Sequence, residues 1–234
     1  MLFRGSHVRR VVVFVGTLMV LTVIVVLRNG CLDAVGMGGE GSYAFYQHQP
    51  GDPTAPVTYS SCKPILVEIN TKGVDDEDAA TQAVLGAMGE VSAATGLHIQ
   101  YVGPTARDLL PQGMSRSVLG GALPVLVAFT TPSEVSRLKG KGGMAGSAWL
   151  PREGVSSYVT GEMTLNAETL NRLFDRPGGR DDAKAIAMHE FGHIVGLHHV
   201  KDRGEIMYKS GNGSSRFGPG DRRGLALLGK GPCS

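Results

Sequence analysis

The chain of 234 residues is 42% hydrophobic and 19% charged, with 34 glycines. This apolar content, without a Gly-X-Y period or heptads, excludes a disordered, collagen-like or coiled-coil chain and suits one domain with an appendage. Residues 1–30 carry 4 of the 23 Lys and Arg and no acid, which leaves a body with 19 basic and 21 acidic residues. Such a body lacks the basic surface that nucleic acid requires, so we expect no nucleic-acid partner.

The first predicted element is an apolar segment at residues 11–27, which contains no charge and is followed by Arg28. A membrane-spanning helix needs about 17–25 apolar residues, whereas the apolar part of a signal peptide has about 7–15. The basic residues before the segment predict that residues 1–10 form a short cytoplasmic tail. We therefore predict a single-span signal anchor with an extracytoplasmic body; the alternative is a removed signal peptide and a secreted protein.

The cysteines and the composition divide the rest of the chain. Residues 28–61 are rich in Gly, Pro and Ser and predict a stalk, followed by a folded domain at residues 62–234. Cys31, Cys62 and Cys233 fit an oxidising compartment. A disulfide between Cys62 and Cys233 would tie the two ends of the domain together, but it is a hypothesis because sequence alone does not fix connectivity.

The domain has an α/β pattern. Alternating or continuous apolar runs predict strands at residues 64–70, 97–102, 124–130, 145–150 and 157–166. Capping residues and amphipathic periodicity predict helices at residues 75–95, 181–195 and 222–228. This order predicts one mixed, twisted sheet with a packed helix, and a smaller C-terminal lobe after the second helix.

The most informative pattern is His-Glu-x-x-His-x-x-Gly-x-x-His at residues 189–199. Two histidines four apart on a helix share a face, so His189 and His193 can bind one metal, with His199 as a third ligand after the turn. Three imidazoles leave a fourth position open, as in catalytic zinc sites, where the pKa of bound water falls to about 7. Glu190 would take the proton of that water and pass it to the leaving amine. The pattern predicts a zinc-dependent endopeptidase with one catalytic zinc ion and a peptide or protein substrate.

Residues 189–199 and the following Ile206-Met207-Tyr208 resemble the metzincin metallopeptidases, and most of all the matrixins. The resemblance implies an α+β zincin-type fold in which residues 181–195 form the catalytic helix, zinc bound by the three histidines, and Glu190 as the catalytic base and acid. It also implies that Met207 forms a Met-turn beneath the zinc and that Tyr208 helps to form the wall of a substrate pocket. His198 should point away from the metal.

Residues 144–151 resemble the matrixin edge strand that lies alongside substrate, and Trp149 within it either contacts substrate or is a core or rim aromatic. The preceding Lys-Gly-rich turn at residues 139–143 is either a flexible loop or part of the rim of the site. Animal matrixins place ligands of a structural zinc and a calcium ion on this strand and the next. This chain has there only Gly146 or Ser147, Thr164 and Asn166. We therefore expect no second zinc and no calcium.

Two other functions compete with peptide hydrolysis. A metzincin-like extracytoplasmic module could bind zinc and peptides or proteins without cleaving them, although the presence of Glu190 argues against it. A non-hydrolytic iron protein would need the carboxylate ligand of a facial triad, which the pattern lacks.

Overall fold

The computed structural model describes residues 41–110, 123–152 and 154–233, which contain both strands and helices. The strands are β1 (Ala44–Phe45), β2 (His48–Gln49), β3 (Asp52–Pro56), β4 (Ile65–Asn70), β5 (Ile99–Pro104), β6 (Val125–Thr130), β7 (Gly143–Arg152), β8 (Val155–Asn166) and β9 (Leu197–His198). The helices are α1 (Glu77–Thr95), α2 (Ala167–Phe174), α3 (Gly179–Val195) and α4 (Pro219–Leu228).

Five strands form the central sheet, in the order β5-β4-β6-β8-β7. The first four are parallel, and β7 runs antiparallel to β8 at the edge. All six residues of β6 are buried, because both faces of this central strand are covered. Within the described chain, β7 pairs only with β8, so its other edge is free to bind an extended segment. The predicted α/β fold with a mixed sheet is confirmed.

Helices α1 and α3 pack against each other and close the core. The side chain of Asp76 caps α1 by accepting a hydrogen bond from the Ala79 amide at 2.8 Å, and Gly96 ends the helix in a left-handed conformation. The large side chains that are fully buried include Ile69, Leu126, Met163, Leu165, Met188, Phe191 and Ile194. The apolar residues of α3 therefore fix the helix on the sheet, and its remaining side chains are left for other roles.

Helix α2 is an element that the sequence analysis did not predict. It starts directly after β8 because the side chain of Asn166 accepts a hydrogen bond from the Thr169 amide at 3.2 Å. The other predicted elements lie close to the observed ones, with α3 starting at Gly179 and α4 at Pro219, a few residues earlier than expected. Proline is favoured in the first turn of a helix, which accounts for the earlier start of α4.

The segment at residues 41–61 differs from the stalk predicted there. Ala44 pairs with His198 and Phe45 with Leu197, so β1 and β9 form a small antiparallel sheet. Farther along the segment, Tyr59 is buried in the core. Aromatic side chains interspersed among its Gly, Pro and Ser residues give this segment apolar surface to bury. The compact unit therefore begins at Gly41 rather than at Cys62.

A disulfide joins Cys62 to Cys233, whose Cα atoms lie 5.1 Å apart although the residues are 171 positions apart in sequence. In the chain-entropy model, closing a loop of this length stabilises the fold by up to about 5 kcal/mol. The bond connects the residues before β4 to the residues after α4, which ties the C-terminal end of the domain to the central sheet.

The tail at residues 1–10, the anchor predicted at residues 11–27 and the stalk as far as residue 40 lie outside the described residues. Among the helices that the structure does describe, none combines the length and the apolar character needed to cross a membrane. The membrane anchor is therefore still a prediction.

Candidate metal centre

Three histidines meet at the C-terminal end of α3. His189 and His193 lie one turn apart on the same face of the helix, and Gly196 ends it with φ 120°, a conformation that favours glycine. The chain then reverses through β9 and brings in His199. The Nε2 atom of His199 lies 3.1 Å from the Nε2 atoms of both His189 and His193. Among the described residues, this is the group of histidine, cysteine or acidic side chains arranged to bind one metal ion.

Main-chain carbonyl groups orient the two helical imidazoles. The Nδ1 atom of His189 donates a hydrogen bond to the Ile206 carbonyl oxygen at 2.7 Å. The Nδ1 atom of His193 donates to the Leu197 carbonyl oxygen at 2.9 Å. Such bonds to the outer nitrogen fix the ring and leave Nε2 for the metal. Burial lowers the pKa of His193 to about 3 and that of His199 to about 4, so both are neutral, as metal ligands must be.

Glu190 lies beside this group and is 6% exposed. Burial raises the pKa of its carboxyl group to about 8, against the opposing effect of the Lys141 charge. Within the described part of the chain, its Oε2 atom is buried without a hydrogen-bond partner. An unsatisfied buried oxygen next to three neutral nitrogen donors fits a zinc ion and a water molecule at this centre.

Gly143, the first residue of β7, lies against the side chain of Glu190. A Cβ atom at Gly143 would lie 2.8 Å from Cγ and 3.0 Å from Oε1 of Glu190, closer than side-chain carbons normally approach. A Cβ atom at Gly146, also in β7, would meet nothing within 4 Å. Glycine at position 143 therefore allows the free edge of β7 to lie next to the carboxylate.

Groups from distant parts of the chain hold the C-terminal end of α3. Its last carbonyl groups have no partner within the helix and need other donors. The hydroxyl of Ser147 in β7 donates to the Ile194 carbonyl oxygen at 2.7 Å, and the Tyr59 hydroxyl lies 2.8 Å from the same Ser147 oxygen. The Tyr46 amide donates to the Gly196 carbonyl oxygen at 2.8 Å. The end of the histidine-bearing helix is thus fixed to the edge strand and to the N-terminal segment.

Met207 is buried, and its sulfur packs against Gly192 of α3. A Cβ atom at Gly192 of α3 would lie 2.5 Å from the Met207 sulfur, so the helix needs glycine there for the turn to fit. The carboxylate of Asp221 accepts hydrogen bonds from the amides of Ile206 at 2.6 Å and of Met207 at 3.3 Å. A charged group on α4 therefore shapes the turn whose Ile206 carbonyl orients His189.

A second carboxylate, that of Glu205, also links this turn to α4. Glu205 is fully buried and accepts hydrogen bonds from the amides of Gly220 at 2.9 Å and Asp221 at 2.7 Å, at the first turn of α4. The turn and the helix therefore each supply a carboxylate to the main chain of the other. Burial, together with the negative charge of Glu205, raises the pKa of Asp221 to about 6.

The matrixin family model matches residues 125–224, a span that contains the three histidines, Glu190 and Met207. Over these residues the chain is matrixin-like. Among solved structures it is similar to metalloproteinase-II from Bacteroides fragilis, with 14% identity and a TM-score of 0.41 over 80% of this chain and 57% of that one. It is also similar to a zinc-dependent peptidase from Methanocorpusculum labreanum (strain Z), with 12% identity and a TM-score of 0.34 over 61% of this chain and 87% of that one. No curated protein matches the chain.

The sequence analysis of this matrixin-like protein also expected Tyr208 and Trp149 near the centre. Tyr208 is half-buried just after Met207, and the Arg203 guanidinium lies 5.6 Å from the centre of its ring. Trp149 is 40% exposed and lies six residues beyond Gly143 in β7, roughly 20 Å along the strand. A contact between Trp149 and substrate stays a prediction.

His198 and Tyr46 lie close to the metal-binding histidines. His198 is exposed, and its Nδ1 atom accepts a hydrogen bond from the His199 amide at 2.7 Å. The Tyr46 ring lies 4.9 Å from the His198 ring and 6.1 Å from the ring of His193. The sequence analysis missed Tyr46 because no local pattern shows that its amide bonds to Gly196, which is 150 positions away in sequence.

Animal matrixins place ligands of structural metal ions on the strands that correspond to β7 and β8. The residues of this chain at those positions make other contacts. Gly146 and Thr164 line a cavity of about 260 Å³, together with Glu162. Ser147 instead faces α3, and Asn166 caps α2 while its side-chain amide donates to the Lys141 carbonyl oxygen at 2.9 Å. The absence of a second zinc and of calcium stays a prediction.

Proposed function

We propose that this protein is a zinc-dependent endopeptidase in which His189, His193 and His199 hold a single catalytic zinc ion. The observation that carries the proposal is the meeting of three Nε2 atoms beside the buried Oε2 atom of Glu190, which has no hydrogen-bond partner among the described residues. The match of this region to the matrixin family supports it. Zinc, when bound, acts as a Lewis acid that activates water and polarises the scissile carbonyl.

Glu190 is the residue that moves protons. Its carboxylate takes a proton from the attacking water and delivers it to the amine of the leaving peptide. Burial strengthens its affinity for the proton, which helps it to hold that proton between the two steps. The reaction needs no covalent bond between the substrate and the protein.

The free edge of β7 is the element best placed to orient the substrate. An extended peptide can add to an exposed strand edge through main-chain hydrogen bonds, with its side chains directed into neighbouring pockets. Gly143 brings this edge next to Glu190, so a paired peptide would pass the centre. Tyr208 lines the pocket for the residue after the scissile bond.

The protein acts outside the cytoplasm, held by a membrane anchor at residues 11–27 or released after signal cleavage. The disulfide between Cys62 and Cys233 supports an oxidising compartment.

Exposure of the zinc-loaded protein to a diverse peptide mixture tests the proposal, with Glu190→Ala in parallel and mass spectrometry of the new termini. Cleavage by the parent protein alone is expected, because the variant retains the histidines but lacks the base. Equal cleavage by both proteins would overturn the mechanism. Absence of cleavage with zinc bound would instead favour the peptide-binding module.

A further inference from the structure

Two lysines approach the metal centre from different elements. Lys141 lies two residues before Gly143, the residue that abuts Glu190. Lys209 directly follows Tyr208 on the loop after Met207. Both side chains are exposed to solvent.

A third cation lies against the residue expected to line the substrate pocket. The Arg203 guanidinium stacks over the Tyr208 ring at 5.6 Å, and Arg203 is itself exposed. Arg203 and Lys209 therefore flank Tyr208 on the loop after β9, and Lys141 lies on the turn before β7. We call these three residues the cationic rim.

The segments that carry these three cations contain few acidic residues. Residues 135–143 and 196–217 together contain seven Lys and Arg but only two acids, Asp202 and Glu205. Glu205 is fully buried and bonded to amides of α4, and Asp202 accepts a hydrogen bond from the Gly204 amide at 2.9 Å. Since the body after residue 30 has more acids than bases, the positive rim is a local feature of the site.

We propose that the centre selects peptides with an acidic side chain within a few residues of the scissile bond, and that the cationic rim provides this selectivity. The proposal rests on the proposed function and adds the substrate class to it. Peptide carboxylates would approach a cleft with three exposed cations, which favours their association over that of neutral peptides.

The expected size of the effect follows from the exposure of the rim. One solvent-exposed ion pair changes an equilibrium by about 1.5- to 5-fold, so a single Glu that pairs with one cation of the rim predicts a preference of this size. Mobile ions screen exposed charges beyond about 8 Å at physiological ionic strength. The preference should therefore appear in kcat/KM at low salt and shrink as salt is added.

The test uses peptide pairs that differ only by Glu or Gln at each of the three positions on either side of a cleaved bond. With the zinc-loaded full chain at low salt, we expect kcat/KM to be about two- to fivefold higher for Glu at one or more positions. The variant Lys209→Glu should abolish this preference and favour a peptide with Lys at the same position. The variant Lys230→Glu makes the same charge change after α4 and should leave the preference intact. Equal kcat/KM for every Glu and Gln pair would overturn the proposal while the peptidase function stands.

A binding measurement separates failure of this proposal from failure of the proposed function. The zinc-loaded Glu190→Gln protein, which lacks the base, should bind the intact Glu peptides several-fold more tightly than the Gln peptides. If the parent protein cleaves nothing, the peptidase function fails, and this affinity ratio alone decides whether the rim selects acidic peptides. Equal affinities for both peptide sets would overturn that selectivity.

Discussion

The hydroxyl of Ser147 donates a hydrogen bond to the Ile194 carbonyl oxygen at 2.7 Å and so joins the edge strand β7 to the histidine-bearing helix α3. The single proton of Ser147 is used in this bond, so the Tyr59 hydroxyl at 2.8 Å is the donor to the Ser147 oxygen. Three parts of the chain that are distant in sequence are thereby connected where substrate and metal would meet. The spacing between β7 and the histidines depends on this connection.

The variant Ser147→Ala should lower the free energy of unfolding by about 1–3 kcal/mol, because it leaves a buried carbonyl and the Tyr59 hydroxyl without partners. Tyr59→Phe removes only the outer donor and should cost about 1 kcal/mol. Urea-induced unfolding of the three proteins measures both changes. A Ser147→Ala protein as stable as the parent would show that the connection contributes nothing to the fold.

The contact between Gly143 and Glu190 predicts a loss of activity without a loss of metal. A methyl group at position 143 would push against Cγ and Oε1 of Glu190, so Gly143→Ala should lower kcat by about tenfold or more while the histidines still bind zinc. Gly146→Ala is the matched control, since a Cβ atom there meets nothing within 4 Å. Peptide cleavage rates and zinc content of both variants check this expectation. Equal rates for the two variants would contradict it.

The metal-binding pattern could be predicted from sequence because its geometry is local. The spacing of His189 and His193 follows from the helical repeat, and Gly196 marks where the helix ends. The strands of the sheet could also be predicted, because their apolar runs are continuous or alternate. These features depend on neighbours within a few residues.

The supports of the centre could not be predicted because they depend on contacts between distant segments. Only after β7 is aligned with β8 is it clear that Ser147 faces α3. The pairing of Ala44 with His198 joins two strands of two residues each, too short to show any periodicity. For the same reason the segment at residues 41–61, rich in turn-forming residues, resembled a stalk.

Zinc affinity should distinguish the two adjacent histidines after β9. His199 contributes an Nε2 atom 3.1 Å from those of the other two histidines. His198 is exposed, and its Nδ1 atom accepts a hydrogen bond from the His199 amide. We expect His199→Ala to weaken zinc binding by more than about 100-fold and His198→Ala by no more than about tenfold. Competition with a chelator measures both. Equal losses would mean that His199 is not the third ligand.

The buried pair of Glu205 and Asp221 predicts a pH dependence of stability. Burial and the charge of Glu205 raise the pKa of Asp221 to about 6, above the value near 4 expected in the unfolded chain. The folded protein therefore binds this proton more tightly than the unfolded chain does. The stabilisation from this proton is complete below about pH 4 and is lost as the pH rises towards about 6.

Comparison with Asp221→Asn isolates this contribution, because asparagine has a similar shape but does not titrate. The advantage of the parent protein in free energy of unfolding should be largest near pH 4 and should shrink as the pH rises to about 6. Titrating groups that do not interact with Asp221 affect both proteins equally and cancel in the difference. Urea-induced unfolding across this range measures it. An advantage that stays constant, or that grows with pH, would show that the three amides of Gly218, Ile206 and Met207 bonded to Asp221 outweigh its burial.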